Sequence, residues 1–333
     1  MSAASPRTPA APNLSDIQAP VRDALDRVAE ELRRIVAADF GLITEVNEHL
    51  LRMRGKMFRP TLTLLASQVD DRPQPRVTTL AAVIELMHLA TLVHDDAVDH
   101  STLRRGMPTI NALFSHQVSV IMGDYLYSRA LGTLVKGGDI EPLRILTDVS
   151  TQMTIGEMRQ LASFDRLAFS EDDYYALNRA KTASLLSGAC EIGAISGAER
   201  HRAALRQYGE LLGMAFQVAD DLLDYTADAA VTGKPTGLDL RERKVTLPLI
   251  AALREMGPAA RARVDAMFTQ DTPDDSSIAE VIAIVAESGG IEYARRKGES
   301  FAEQADAVLQ GLPDSAARAA LSDAITYVME RRW

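Results

Sequence analysis

Several features that would assign a chain to a common protein class are scarce in this sequence. One cysteine, Cys190, stands among 333 residues, which excludes an intrachain disulfide framework and a cysteine-rich zinc site and favours a reducing compartment. Aromatic residues make up only 5% of the chain, and acidic residues outnumber basic ones to give a net charge of −10. Because such a chain lacks the basic surface of a general nucleic-acid binder, we expect no nucleic-acid partner.

Hydrophobic runs long enough to cross a membrane are also missing. The longest, at 79–93, is interrupted by Glu85 and His88. It is too short for a hydrocarbon core of about 30 Å, so it predicts a buried helix. The first residues are small and proline-rich and lack the apolar stretch of a secretory signal. We expect a disordered tail over 1–15, a single domain over 16–333, a cytoplasmic location and no integral membrane association.

Alternation of apolar and polar residues, which is typical of half-buried strands, is rare, whereas helical spacing is common. Over 20–37, for example, aliphatic side chains recur every three or four residues and form a single stripe. Alanine, leucine, glutamate and arginine, which are strong helix formers, dominate the chain. Breaks that contain glycine or proline separate the helices without a long linker. The sequence therefore predicts one all-α domain of about a dozen helices.

Two copies of the pattern DDxxD each follow an apolar helical stretch. The six aspartates are Asp95, Asp96 and Asp99 in the first triplet and Asp220, Asp221 and Asp224 in the second triplet. Residues four apart lie on one helix face, so the outer aspartates of each triplet point the same way. Like charges at this spacing and acids at a helix C-terminus are both unfavourable, and a repeated local cost indicates a function. A hard divalent cation such as magnesium best relieves that cost.

Basic residues accompany both triplets in this acidic chain. Lys56 and Arg59 precede the first triplet, and Arg104 and Arg105 follow it. Arginine and lysine donors suit a multiply charged diphosphate. No glycine-rich nucleotide loop is present, which argues against a nucleotide ligand. A single acidic run is usually a solvated helix end, but two runs with these cations favour the metal and diphosphate interpretation.

Taken together, these segments resemble the trans-type polyprenyl diphosphate synthases. The resemblance rests on GKMFRP at 55–60, ELMHLATLVHDDAVDHSTLRRGMPT at 85–109, GDYLY at 123–127, Lys-Thr at 181–182 and FQVADDLLDYTADAAVTGKPTGLDLRERKVTLPL at 216–249. The segments occur in order from about residue 20 to the end of the chain. The resemblance implies an all-α helical bundle of the isoprenoid-synthase type with a deep central cavity, usually assembled as a homodimer.

The resemblance also implies the activity and the residues that perform it. Such enzymes condense an allylic diphosphate with successive isopentenyl diphosphates in E geometry and release pyrophosphate. All six aspartates correspond to ligands of the magnesium cluster, about three ions per site. The implied catalytic residues are Asp95, Asp96, Asp99, Lys181, Asp220 and Asp221. The residues that correspond to the allylic diphosphate site are Arg104, Lys181, Thr182, Gln217, Lys234 and Lys244. Those that correspond to the isopentenyl diphosphate site are Lys56, Arg59, His88 and Arg105.

Two positions depart from the family pattern. Arg54 stands before Gly55 where a second glycine is usual, and Arg243 replaces the glycine that usually precedes Lys244. The second departure bears on the geometry of the Lys244 loop, because arginine adopts a positive φ less readily than glycine.

The length of the product is expected to depend on the helix that carries the first triplet. One helical turn rises about 5.4 Å, roughly one isoprene unit, so side chains one turn before Asp95 control short products. These are Ala90 and Thr91, and both are small. We therefore predict a product of about thirty to fifty carbons, hexaprenyl to decaprenyl, as in quinone side-chain synthesis. The residues assigned to the cavity floor are Met87, Met122 and Leu131, whose alternative role is ordinary core packing.

Four alternatives follow from the same residues. A geranylgeranyl synthase is a shorter-chain version of the same enzyme. A non-catalytic subunit of a heteromeric synthase typically lacks aspartates or basic residues that are intact here. A terpene cyclase usually lacks a second DDxxD and has an aromatic-rich pocket. A di-iron bundle requires two Glu-x-x-His pairs, and the sequence offers one, Glu85 and His88.

Overall fold

Helices supply nearly all of the regular structure in residues 12–53, 55–138, 140–162, 166–226 and 236–330, which the computed structural model describes. The α-helices are α1 (Leu14–Gln18), α2 (Arg22–Val36), α3 (Gly41–Arg52), α4 (Phe58–Ser67), α5 (Val77–Val98), α6 (Ile110–Leu113), α7 (His116–Gly137), α8 (Ile140–Ala162), α9 (Glu171–Asn178), α10 (Ser184–Ala194), α11 (Arg202–Thr226), α12 (Leu238–Arg241), α13 (Leu247–Glu255), α14 (Pro258–Thr269), α15 (Asp275–Glu287), α16 (Gly290–Gln310) and α17 (Ala316–Met329). The prediction of one all-α domain is confirmed.

Shorter elements join these helices. One-turn 3₁₀ segments occupy Ala19–Val21, Arg166–Ala168 and Glu199–His201, and a π-helical turn, Arg179–Ala183, connects α9 to α10. The strands β1 (Leu103–Arg104) and β2 (Met107–Pro108) form a small antiparallel hairpin directly after the first triplet. Gly106 makes the hairpin turn at φ 74°, a conformation that glycine adopts without strain.

The core is built around α5, α10 and α11. Side chains on all faces of α5 are buried, as expected for a helix that is apolar all round, and α5 packs against α2, α4, α7 and α10. On α11, Gly209 and Gly213 permit a close approach to α10 and to the π-helical turn that precedes it. A Cβ atom on Gly209 would lie 2.6 Å from the carbonyl oxygen of Leu186, and one on Gly213 would lie 2.5 Å from the Cα of Ala183. Helix α11 thereby packs closely against α10, which also packs against α5.

The N-terminal boundary differs from the prediction of a disordered tail over 1–15. Helix α1 already begins at Leu14, because Asn13 caps it in a reciprocal capping box with Asp16. Ile17 then anchors the helix by full burial in the core. Residues 1–11 lie outside the described residues.

Helix α5 is long and apolar enough to span a membrane by length and composition alone. Its most apolar window is 72% buried inside the protein, as in the core helix of a soluble protein. This agrees with the expected buried helix at 79–93.

Candidate active site

The two aspartate triplets lie at the carboxyl ends of α5 and α11, and Lys244 lies near the first of them. Although burial lowers the pKa of Lys244, its 2.6 Å ion pair with Glu242 and the nearby Asp239 and Asp99 raise it overall. Lys244 follows the second triplet, whereas Asp99 belongs to the first. The end of α5 and the segment after α11 therefore face the same space.

The first triplet divides its carboxylates between two tasks. Asp96 is buried and accepts hydrogen bonds of 2.9 Å from Arg104 Nε, with Arg104 Nη2 2.8 Å away. Asp95 and Asp99 remain on the other side of the helix, as their four-residue spacing predicts. Burial raises the pKa of Asp95 to about 6, and the charges of Glu157 and Asp99 add to the rise against the opposing Lys181. The structure thus brings Asp95 and Asp99 together and assigns Asp96 to holding Arg104.

The second triplet repeats this division. Asp221 is buried and accepts one hydrogen bond from the Tyr174 hydroxyl (2.5 Å) and one from Gln217 Nε2 (2.8 Å). Asp224 accepts backbone N–H bonds of 2.9 Å from residues 238 and 239, at the start of α12. Burial nevertheless raises the pKa of Asp224. Asp220 stays exposed at the surface of the cavity.

A further carboxylate that the sequence analysis missed belongs to this group. Burial raises the pKa of Asp239 to about 7, and the charge of Asp224 adds to the rise, while Lys244 opposes it. Asp239 lies outside the DDxxD pattern, so spacing gave no reason to select it. It does stand in the segment 216–249 on which the family resemblance rests. Crowded carboxylates with raised pKa values are chemically suited to a divalent cation, which favours their charged form.

Lys181 and Thr182 enter the cavity from the π-helical turn. Lys181 Nζ forms a 2.6 Å ion pair with Glu157 and lies 3.4 Å from Gln160 Oε1, whereas the Thr182 hydroxyl donates to Gln217 Oε1 at 2.9 Å. A π-helical turn inserts one extra residue per turn and is frequently found at functional sites. No residue pattern in the sequence predicted this turn.

A second cationic group surrounds Arg59, Arg105 and His88. Burial lowers the pKa of Arg59 to about 10, with Arg105 adding to the fall. The same burial and the arginine charges hold the pKa of His88 well below its usual value, so this imidazole is neutral at pH 7. The sequence analysis gave Glu85 no role here, yet its buried carboxylate is the acid whose charge acts on both arginines. Arg59 Nε is buried without a hydrogen-bond partner among the described residues, which leaves a donor for an anion.

The remaining predicted diphosphate ligands are Lys56 and Lys234, and the departure at Arg243 concerns the loop of Lys244. Lys56 is exposed, and its Nζ lies 3.1 Å from the Tyr327 hydroxyl on α17, a contact without a sequence signal. Lys234 lies outside the described residues. Arg243 does adopt the left-handed conformation, at φ 55°, and its guanidinium is held by the carbonyl oxygen of Gln270 at 3.2 Å. The departure from glycine is therefore accommodated.

The residues predicted to control product length lie mostly in the core next to the first triplet. Ala90, Met87 and Met122 are buried, and Thr91 is half-buried with its hydroxyl donating to the His88 carbonyl at 2.8 Å. Leu131 is partly exposed on α7. Ala90 and Thr91 stand one turn before Asp95 on α5, and neither is aromatic.

Comparison with known proteins identifies the family of the chain. Residues 41–285 match the model of the family described as Polyprenyl synthetase, and the chain belongs to this family. It is 37% identical over 321 residues to an all-trans-nonaprenyl-diphosphate synthase (geranyl-diphosphate specific) of Rhodobacter capsulatus, covering 95% of this chain and 97% of that protein. It is 34% identical over 313 residues to heptaprenyl diphosphate synthase component 2 of Geobacillus stearothermophilus, covering 93% and 96%.

A solved structure gives the same result for the fold. The polyprenyl synthase of Caulobacter crescentus, solved in complex with calcium and isoprenyl diphosphate, superposes with a TM-score of 0.90 at 31% identity, covering 98% of this chain and 100% of that chain. Members of the family are metal-dependent prenyltransferases. The recognition of the family from DDxxD, the arginine pair and the flanking segments is confirmed.

Gly55 generates the first testable prediction. A Cβ atom there would lie 2.7 Å from Arg105 Nη1, whose other contact is the Met53 carbonyl at 3.0 Å. We expect Gly55→Ala to displace this guanidinium and to weaken the binding of inorganic pyrophosphate about tenfold in titration calorimetry without divalent metal. Gly41→Ala, with nothing within 4 Å of its added Cβ, is the matched control. Unchanged affinity in Gly55→Ala would separate Arg105 from the anion site.

The raised pKa of Asp95 generates the second prediction. An acid whose pKa is about 6 in the folded state and 3.8 in the unfolded state destabilises the metal-free protein once it ionises. Because the folded state holds the Asp95 proton more tightly, the protonated acid stabilises the folded protein. This stabilisation is complete below about pH 4 and is lost as the pH rises through about 6. We expect Asp95→Asn to equal wild type in urea denaturation at about pH 4 and to be more stable by about 1–2 kcal/mol at about pH 8. Asp26→Asn, at an exposed position on α2, is the matched control and should not become more stable than wild type between the two pH values. Equal stability of Asp95→Asn and wild type at both pH values would contradict the prediction.

Proposed function

We propose that the protein is a magnesium-dependent synthase that condenses an allylic prenyl diphosphate with successive isopentenyl diphosphates to an all-E polyprenyl diphosphate. The observation that carries this proposal is that charges link the two acidic triplets: Lys244 lies near Asp99 of the first triplet and near Asp239, and Asp239 lies near Asp224 of the second. By their positions in the two motifs, Asp95, Asp99 and Asp220 are the proposed direct ligands of about three magnesium ions. Bound magnesium would act as a Lewis acid on the leaving diphosphate.

The surrounding cations fit the first chemical step, which breaks a C–O bond and leaves an allylic cation and an anionic pyrophosphate. Lys181 and Lys244 stand beside the two triplets, where fixed positive charge stabilises the departing anion. Arg104 is held for the same purpose by its ion pair with Asp96. Lys181 and Lys244 are both bonded to glutamates in this structure, so the diphosphate would replace Glu157 and Glu242 as their partners.

The second cationic group fits the homoallylic substrate. Arg59 and Arg105, with Lys56 at the entrance, would hold the isopentenyl diphosphate while its double bond attacks the allylic carbon, which is an orientation task. His88 is neutral, and its one ring N–H can donate a hydrogen bond to a phosphate oxygen. The apolar lining below Asp95 would exclude water, which would otherwise quench the cation.

The proposed product is a long chain for a quinone side chain, made in the cytoplasm. Ala90 and Thr91, one turn before Asp95, have small side chains, and the relatives are named for seven- and nine-unit products. A geranylgeranyl synthase is the shorter alternative. The similarity to a protein named as a component also keeps a heteromeric synthase as an alternative, although all six aspartates are present here.

Product size is the measurement that tests both the reaction and the cavity. We expect the purified chain, with magnesium, isopentenyl diphosphate and farnesyl diphosphate, to form products of about thirty to fifty carbons that radiometric chromatography resolves by length. The Thr91→Phe variant should shorten them, because its ring occupies the space one turn below Asp95, and Ala90→Phe should do the same.

Thr91→Val is the matched control, since it keeps the size of the side chain and should keep the product length. An unchanged product from Thr91→Phe would mean that the chain grows along another path. A wild-type chain that forms no product alone, but does so after a second polypeptide is added, would favour the heteromeric alternative.

We further propose that the protein is a homodimer through α7 and α8. Large apolar side chains that are 47–71% exposed cluster on these two adjacent helices: Ile121, Val135, Ile140, Ile155, Met158 and Leu161. Ile121 and Val135 are fourteen residues apart and share one face of α7. Exposed patches of this kind on a water-soluble chain mark association surfaces, and an apolar surface that matches itself suits a second copy of the same chain.

Light scattering after size exclusion tests the dimer. Wild type is expected at twice the chain mass of 36.2 kDa, and Ile121→Glu should shift it to the monomer because it places a charge in an apolar interface. Leu42→Glu, at an exposed position on α3, should remain dimeric. A monomeric wild type at assay concentrations would refute the proposed interface.

A further inference from the structure

A continuous chain of side-chain hydrogen bonds links the core to the cavity. The Tyr174 hydroxyl donates to one carboxylate oxygen of Asp221 at 2.5 Å, and Gln217 Nε2 donates to the other at 2.8 Å. Gln217 Oε1 in turn accepts from the Thr182 hydroxyl at 2.9 Å. The chain thus spans three helical elements, α9, α11 and the π-helical turn.

The geometry of this chain fixes the orientation of every member. Both oxygens of Asp221 are bonded, and the residue is only 4% exposed, so its carboxylate has one satisfied position. The amide of Gln217 donates on one side and accepts on the other, which prevents it from rotating by half a turn without losing both bonds. Gln217 therefore fixes the orientation of Thr182, and Asp221 fixes the orientation of Gln217.

Tyr174 is the end of the chain that lies farthest into the core. It is 3% exposed and packs among Val218, Leu247 and Ile250, with the Tyr175 ring at 5.6 Å. It stands on α9, which runs directly into the π-helical turn that carries Lys181 and Thr182. A shift of Tyr174 would move both the bonded carboxylate and the segment that presents Thr182.

We propose that Tyr174 is a positioning residue, which acts through Asp221 and Gln217 to hold Thr182 in place for the allylic diphosphate. Nothing in the DDxxD pattern selects it, since it lies 47 residues before Asp221 in the chain. The inference rests on the proposed function, because it assumes that an allylic diphosphate binds beside Thr182. It also gives Asp221 a role in aiming a neutral side chain rather than in contacting metal.

The Tyr174→Phe variant tests the proposal, because it removes the hydroxyl and keeps the ring. We expect KM for the allylic diphosphate to rise at least about fivefold, with KM for isopentenyl diphosphate within about twofold of wild type. Tyr208→Phe is the matched control, since Tyr208 is also buried and its hydroxyl donates to the Leu321 carbonyl at 2.7 Å, away from the cavity. Both variants should lose similar thermal stability, and only Tyr174→Phe should change KM.

A double-mutant cycle with Thr182→Val tests whether the effect passes along the chain. If Tyr174 acts through Thr182, adding Tyr174→Phe to Thr182→Val should raise the allylic KM no further. Full additivity of the two changes, or a wild-type allylic KM in Tyr174→Phe, would overturn the proposal. If Tyr174→Phe does not fold at the assay temperature, Asp221→Asn replaces it in the cycle, and a wild-type allylic KM in that variant overturns the proposal as well.

Different results would contradict the proposed function and the proposed role of Tyr174. A wild-type chain without any prenyl transfer would contradict the proposed function and leave no KM to compare. A wild-type chain that transfers prenyl groups, with Tyr174→Phe and Tyr208→Phe indistinguishable in kinetics, would contradict only the role of Tyr174.

Discussion

Several carboxylates lie together at one partly buried end of the helical bundle, and the rest of the structure must keep them there. Burial disfavours their ionised form, and their mutual repulsion adds to the cost, which is why the pKa values of Asp95, Asp224 and Asp239 are raised. A fold tolerates such a group only if the rest of the molecule is stable enough to hold it. Here the apolar helix α5 and the closely packed pair α10 and α11 provide that stability.

The middle aspartates of the two DDxxD motifs have the same structural role. The middle aspartate of each triplet turns inward and is fully engaged, Asp96 by Arg104 and Asp221 by Tyr174 and Gln217. These inward contacts fix the rotation of the helix end about its axis. The outer aspartates differ between the triplets, because Asp224 accepts two backbone N–H bonds at the start of α12, whereas Asp95 and Asp99 lie close enough for their charges to interact.

The fold class and the position of the site could be predicted from the sequence, because both depend on periodicity. The apolar residues predicted a buried helix at 79–93 and an apolar helical stretch before the second triplet, and the structure has α5 at Val77–Val98 and α11 at Arg202–Thr226. The sequence could not reveal the partners of each aspartate, since Tyr174 and Asp239 are brought in by tertiary packing. It could not reveal the π-helical turn at 179–183 either, because one inserted residue leaves no periodic signal.

The arginines around His88 are close together, and their positive charges must be balanced. Arg104 is neutralised by Asp96, so Arg59 and Arg105 share a single compensating charge, that of Glu85. No ion pair or hydrogen bond between described residues joins Glu85 to either guanidinium, so it acts through space rather than by direct contact. An acid that bonded Arg59 directly would compete with a diphosphate for the same donors. Placed at a distance, Glu85 offsets the positive charge of the two guanidinium groups and leaves the buried Arg59 Nε as a donor for an anion.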